Sequence, residues 1–281
     1  MRSLDHVVMP FGALGEAQSW FSSLGFTLAP EARHPFGTAN ACVFFRDGLF
    51  IEPLARVDEA ACAAADRDGN LFVRRDAALR ADPAFGFSAL ALRSKDALAD
   101  RDSLGLEGLT EEATLDFGRT LTLPDGSEGK IAFRLAFVKD FGPRTPSLFL
   151  CEPRHSFTPD RSRLTVHENG ATGLAGLEFA TTDIEAAEAY LRAVFAAEGH
   201  ETEDGSVRFD LDNGFVDLVE VGGADLPALS LNAAFVAVSD PTAARALLDG
   251  KGIDFEVEGD SLAVPCPNGA GRVQFIGAAG S

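Results

Sequence analysis

The sequence predicts an α+β protein built from four copies of one unit: a strand, a helix and then three strands. Three observations carry that prediction. Strand-like apolar runs are followed four times by an alanine-rich stretch whose apolar residues fall at helical spacing. The helical stretches are punctuated by residues suited to capping or stopping a helix. After each helix, short apolar runs are separated by Gly, Asn or Asp turns. With 281 residues, 46% of them hydrophobic, the chain can bury one large core or two smaller ones.

In the first unit residues 4–10 read as a strand. Ala17, Trp20, Phe21 and Leu24 then share a helical face, and Gly25 stops the helix. "NACVFFRDGLFIEPL" follows, with Asp47-Gly48 as a hairpin signal. Residues 57–82, between units, read as two short helices. The second unit has a strand over residues 87–93, Ser94 as candidate N-cap, and then "RTLTL", a turn in "PDGSEG", "KIAFRLAFV" and "SLFLCE". The third, "LAGLEFATTDIEAAEAYLRAVF", and the fourth, "LNAAFVAVSDPTAARALLDGKGIDF", agree most closely. Asp183 and Asp240 stand at their N-caps, and Pro241 takes the first helical position of the fourth. Their later strands hinge on Asn213-Gly214 and Asn268-Gly269. "RHSFTPDRSRLTVHENGATG" has no period and carries Pro159 and Gly170, so it marks a junction. The expected organisation is a domain over 1–157, a linker over 158–172 and a second domain over 173–281.

A formal net charge of -19 with no Lys/Arg-rich block argues against nucleic acid and anionic membrane surfaces as partners. No apolar run is long enough to span a bilayer, and the amino terminus turns polar too early for a signal peptide, so the expected location is the cytoplasm. Cys42, Cys62, Cys151 and Cys266 lack C-x-x-C spacing and read as buried thiols.

The apolar run closing on Glu-Pro occurs twice, as "LFIEP" and "LFLCEP". A carboxylate in such a setting is costly unless it is paired, metal-bound or at a strand end that reaches solvent. The extra residue in "LFLCEP" leaves the direction of Glu152 open, because side chains alternate along a strand. His6, among Val7, Val8 and Met9, reads either as a hydrogen-bonded core residue or as a ligand. Arg119 and Arg134 fall on strands of the second unit. Each is either an inward cation able to hold a substrate carboxylate bidentately or an outward solvated residue. His155 and His167 flank the junction, and His200 reads as exposed.

"LDHVVMPFGALGEAQSWFSSLGFTL" followed by "RHPFGTANACVFFRDGLFIEPLA" resembles the vicinal oxygen chelate superfamily, and within it the glyoxalase-like group. The resemblance implies βαβββ modules pairing to enclose a cup, here two glyoxalase/bleomycin-resistance-like domains made by modules one and two and by modules three and four. It implies metal ligands at His6, Glu52 and Glu152, while the fourth ligand position, near Ser88 and Ala89, offers none. The ion implied is divalent, Zn, Mn, Ni, Co or Fe, or no metal at all. His34, Thr38 and Asn40 would lie at the cavity mouth as substrate-binding residues.

The implied activity is that of a metal-dependent lyase or isomerase acting on a small oxygen-rich substrate, with Glu52 or Glu152 as general base. Ring-cleaving dioxygenase chemistry is less favoured, because only one well-placed His is evident. The alternative is a metal-free small-molecule binder. A homodimer is a possible assembly. The second half lacks a His at its first-strand positions, so Asp217, Glu220 and Gln274 make no metal site, and a structural or interface role is expected there.

Overall fold

The computed structural model describes residues 1–81, 86–122, 128–155, 159–223, 226–267, 269 and 271–278. Residues 124–127 of the expected "PDGSEG" turn, and Asn268, lie outside them. The first module comprises β1 (Ser3–Phe11), α1 (Leu14–Ser23), β2 (Ala32–Arg33), β3 (Thr38–Asn40), β4 (Val43–Phe44) and β5 (Phe50–Arg56). Two helices follow, α2 (Glu59–Arg67) and α3 (Leu71–Arg80). The second module is β6 (Ala89–Arg93), α4 (Ala97–Leu106), β7 (Thr110–Thr122), β8 (Glu128–Val138) and β9 (Ser147–Pro153). The third is β10 (Ala171–Thr181), α5 (Ile184–Phe195), β11 (Gly199–Glu201), β12 (Val207–Leu211) and β13 (Gly214–Glu220). The fourth is β14 (Leu229–Val238), α6 (Pro241–Lys251), β15 (Glu256–Glu258), β16 (Ser261–Pro265) and β17 (Arg272–Gly277).

Helices α2 to α6 start on side-chain caps, whereas α1 begins after Ala13 with none. Asp183 accepts from Ala186 N, and Asp240 from Thr242 N and Ala243 N with Pro241 behind it. At α4 the cap is Asp96 and not Ser94: Asp96 accepts from Leu98 N and Ala99 N. The Ser94 hydroxyl accepts from Asp96 N and donates to Asp100 instead.

Two sheets result, ordered β2-β3-β5-β1-β6-β9-β8-β7, with β4 also on β5, and β11-β12-β13-β10-β14-β17-β16-β15. The first strand of every module runs parallel to its last, β1 with β5, β6 with β9, β10 with β13 and β14 with β17. Paired modules join through antiparallel first strands, β1 with β6 and β10 with β14. One face of each sheet contributes to a single apolar cluster with α1, α4, α5 and α6. It runs from Val7, Met9 and Ile51 in one half to Leu177, Phe179 and Phe275 in the other. The opposite face of the first sheet carries a separate cluster, including Val8, Phe36, Leu54, Phe72, Phe149 and Cys151. That face is the inside of the cup, and Phe72 brings α3 over it. Arg80 holds α3 in place by donating to Phe11 O and Leu54 O at 2.6 and 3.0 Å.

The segment between the halves is pinned. His167 accepts from Thr27 N through Nδ1 (3.1 Å), so its Nε2–H donates to Phe44 O (3.0 Å). The Asn169 amide donates to Leu24 O. The β12–β13 turn adds a further tie. Leu4 lies beyond the end of the β1–β5 ladder, which begins at His6–Phe50. Asn213 takes up its free backbone groups, accepting from Leu4 N at 2.8 Å and donating to Leu4 O at 2.9 Å. Asn213→Ala leaves a fully buried N–H without a partner, and the expected loss is about 1–3 kcal/mol of stability, measurable by denaturant unfolding.

Candidate functional site

The register of the first sheet decides which side chains meet. Parallel pairing sets His6 beside Phe50 and Val8 beside Glu52, and with a period of two all four face the cup. On β9, Phe149 and Cys151 line the same space. Glu152 therefore points to the other face. This corrects the expectation for "LFLCEP": the extra residue puts Cys151 where "LFIEP" puts Glu52. Glu152 instead accepts from Ala97 N (3.1 Å) at the start of α4 and from Arg154 (2.7 Å). Arg134 is corrected for the same reason. Phe133 and Leu135 line the cup, so Arg134 is directed away and pairs with Asp116 at 2.9 Å.

A register shift between Leu4 and His6 marks a bulge at Asp5, and both Asp5 and His6 border the cavity. His6 Nδ1 donates to Asp5 Oδ2 at 2.8 Å, and Asp5 Oδ1 also accepts from Arg93 at 3.2 Å. Burial pushes Asp5 up, but the hydrogen bond and charge of His6, with Arg93, outweigh it and leave the carboxyl below its ordinary value. The second imidazole nitrogen of His6 faces Glu52 Oε2 at 3.4 Å. Its ring stacks on Phe50 with centroids 4.3 Å apart.

The "HPFGTAN" turn supplies the other wall. Gly37 has φ +90°, and a Cβ there would lie 2.5 Å from Asp58 O, so only glycine lets this turn pack on the start of α2. His34, Thr38 and Asn40 are thereby set around Glu52. Asn40 Nδ2 donates to Glu52 Oε1 at 2.6 Å and lies 3.5 Å from His34 Nε2, while His34 Nδ1 meets Thr38 Oγ1 at 2.9 Å. This arrangement suits a neutral His34 with its proton on Nδ1. Burial pushes its pKa down to about 4 against the opposing charge of Glu52.

These groups face a cavity of about 480 Å³ walled by Phe36, Phe72, Phe117, Phe133 and Phe149, with Arg119 and Arg161 among its polar lining. Of the expected site residues, the cup gathers His6, Glu52, His34, Asn40 and Arg119, leaves Thr38 buried behind His34 and off the cavity wall, and leaves out Glu152 and Arg134. Asp5, Arg161 and Cys42 were not foreseen. Asp5 depends on the bulge, and Arg161 comes from a segment with no period. Burial, and then nearby carboxylate charge, raises the thiols of Cys42 and Cys151, so they are neutral wall groups and not nucleophiles.

The implied metal was tested against these donors. With Glu152 on the far face, the set His6, Glu52 and Glu152 does not assemble. Among the described residues no group of three or more His, Cys, Asp or Glu side chains is disposed to hold a metal ion. The described residues do not fit the implied divalent metal.

Residues 4–195 match the family described as a glyoxalase-like domain. The chain belongs to that family. Structural likeness extends over its whole length. A hypothetical protein from Staphylococcus aureus superposes with TM-score 0.68 at 12% identity, covering 99% of this chain and 100% of that one. A mutant of 4-hydroxymandelate synthase from Streptomyces coelicolor gives 0.61 at 13%, covering 100% and 94%. A halotolerant catechol dioxygenase gives 0.56 at 11%, covering 98% and 86%. At these identities the likeness shows the vicinal oxygen chelate fold alone. No curated protein matches the sequence. No helix among the described residues is long and apolar enough to cross a membrane.

Two predictions follow from this geometry. His34 binds its proton more weakly folded than unfolded, so its contribution is complete above the ordinary value of 6.5 and is lost as pH falls toward 4. The loss should reach roughly 3 kcal/mol, and thermal melts of His34→Gln should lack that part of the acid slope. Glu152→Ala should cost about 1 kcal/mol by freeing the Ala97 N–H, while ligand titrations of the cup remain as in the parent protein.

Proposed function

We propose that the amino-terminal cup of this glyoxalase-like protein binds a small planar organic molecule and that Glu52 and His6 exchange a proton with it, in a step of the isomerase or lyase type. The observation that carries this reading is the placement of Glu52. It is a buried carboxylate facing an aromatic cavity, gripped by Asn40 and set 3.4 Å from an imidazole whose far side is held by a second carboxylate. Because His6 donates through Nδ1 to Asp5, its Nε2 is left to share a proton with Glu52. A proton can move between Nε2 and Oε2 directly or through one water, and on to a ligand above them. Asp5 fixes the tautomer and ring orientation of His6, and Asn40 holds Glu52 in its rotamer. The flat aromatic walls match a planar ligand, and the volume suits a ring with a short side chain.

A binder without turnover is the second reading. It is favoured by the cup's apolar walls and its neutral thiols. The experiment is NMR in D2O with a panel of aryl acetic and aryl 2-oxo acids. Wild type should bind at least one member and incorporate deuterium beside its carbonyl. Glu52→Gln should retain binding and slow exchange by ~100-fold. Binding without exchange selects the binder, and no binding by any member overturns the reading.

A further inference from the structure

We infer that the ligand of this cup carries an anionic group, a carboxylate, held between Arg119 and Arg161; the inference rests on the cup being the ligand site. Both side chains line the cavity. Arg119 stands on β7, and its Nε is buried with no hydrogen-bond partner. Arg161 comes from the segment joining the halves and lies over the Phe44 ring, 3.9 Å from its centroid. Among the described residues neither guanidinium has a carboxylate within ion-pair distance, although other arginines of the cup and its surroundings do. Arg93 has Asp5, Arg134 has Asp116, Arg75 has Glu111 and Asp140, and Arg80 has Asp76.

In a chain with 43 acidic and 24 basic side chains, two unpaired cations on one cavity wall are unexpected unless their counter-ion arrives from outside. Their charges oppose each other. Burial lowers the pKa of Arg161, and the charge of Arg119 lowers it further, partly offset by Cys42 and Asp5. A carboxylate between them would relieve that repulsion and complete the planar donor forks, which suit bidentate acceptance. The ring of the same ligand would lie along Phe117 and Phe133. Glu52 would repel a carboxylate, so the anionic end belongs at the arginine side and the reacting carbon at the Glu52 side.

The probes are phenylacetate and its neutral isostere phenylacetamide, titrated at pH 7 by calorimetry and ligand-observed NMR. Phenylacetate should bind at least 10-fold more tightly than the amide. Arg119→Gln and Arg161→Gln should each weaken phenylacetate by about 10-fold or more and leave the amide unchanged. Arg119→Gln should melt no lower than the parent when free of ligand, because an unpaired charge is removed, whereas Arg161→Gln also gives up its contact with the Phe44 ring; a purely structural Arg119 would lower the melting temperature. Equal binding of acid and amide, unchanged acid binding in the variants, or a lowered melting temperature with both ligands weakened alike overturns the inference. If acid preference is absent but Glu52→Gln still abolishes deuterium exchange on the aryl panel, the anion assignment fails while the proposed function stands. Binding of neither probe overturns the assignment as well.

Discussion

The site depends on the parallel pairing of β1 with β5. That ladder fixes His6 beside Phe50 and Glu52 one pleat further along, so a carboxylate and an imidazole from opposite ends of a module share one face. A slip of one residue between the two strands would put them on opposite faces and turn one of them toward the shared apolar core. The bulge at Asp5 then adds what a regular strand cannot, a neighbouring residue on the same side. Three groups at most 47 residues apart in sequence (52 − 5 = 47) are thus brought into one line, Asp5 hydrogen-bonded to His6 and His6 facing Glu52 at 3.4 Å. Asn213, reaching across from the second half, satisfies the backbone of Leu4 just before the bulge, so the aim of His6 is set partly by the other sheet.

The second sheet is an internal comparison built on the same register. Gly176 pairs with Phe215 and Glu178 with Asp217, as His6 pairs with Phe50 and Val8 with Glu52. Asp217 therefore occupies the place of Glu52, but it is consumed by a bidentate pair with Arg208 at 2.7 Å. At the His6 place a Cβ would fall 2.6 Å from the Phe215 ring, so a side chain there would have to displace that ring. Arg272 likewise pairs with Glu178, and Gln274 with Ser261. Each polar group there already has a partner within the fold. In the first sheet His6 and Glu52 are held by Asp5 and Asn40 but also border the open cavity.

Periodicity and punctuation made the modules legible, because a strand, an amphipathic helix and glycine turns each leave a local signature. The repeat placed the first and last strands of each module, and the resemblance to the vicinal oxygen chelate superfamily singled out His6 and Glu52 on them. What stayed hidden was parity. Nothing local in "LFLCEP" tells whether Cys151 or Glu152 faces inward, and Arg134 carries the same ambiguity. Both are resolved only by β8–β9 pairing, which sets Arg134 opposite Glu152 on the outer face. The bulge at Asp5 was hidden for a different reason: an irregularity in one strand is defined by its partner. His34 was visible through "HPFGTAN", but its approach to Glu52 depends on how Gly37 packs against α2.

Arg161 draws the segment between the halves into the wall of the first cup. It stands in an aperiodic segment that reads as a linker, yet that segment is held by His167 between Thr27 N and Phe44 O. His167 can accept on one nitrogen and donate on the other only while neutral, and burial, opposing the Phe44 hydrogen bond, lowers its pKa accordingly. Phe44 is both the residue whose carbonyl anchors His167 and the ring on which Arg161 rests. The connection that carries the chain from one sheet to the other thus also delivers a cation to the cup of the first. A fragment ending at residue 157 would keep Glu52, His6 and Arg119 but lose Arg161 and the support of Asn213. The boundary between the halves is therefore not a boundary of the cup.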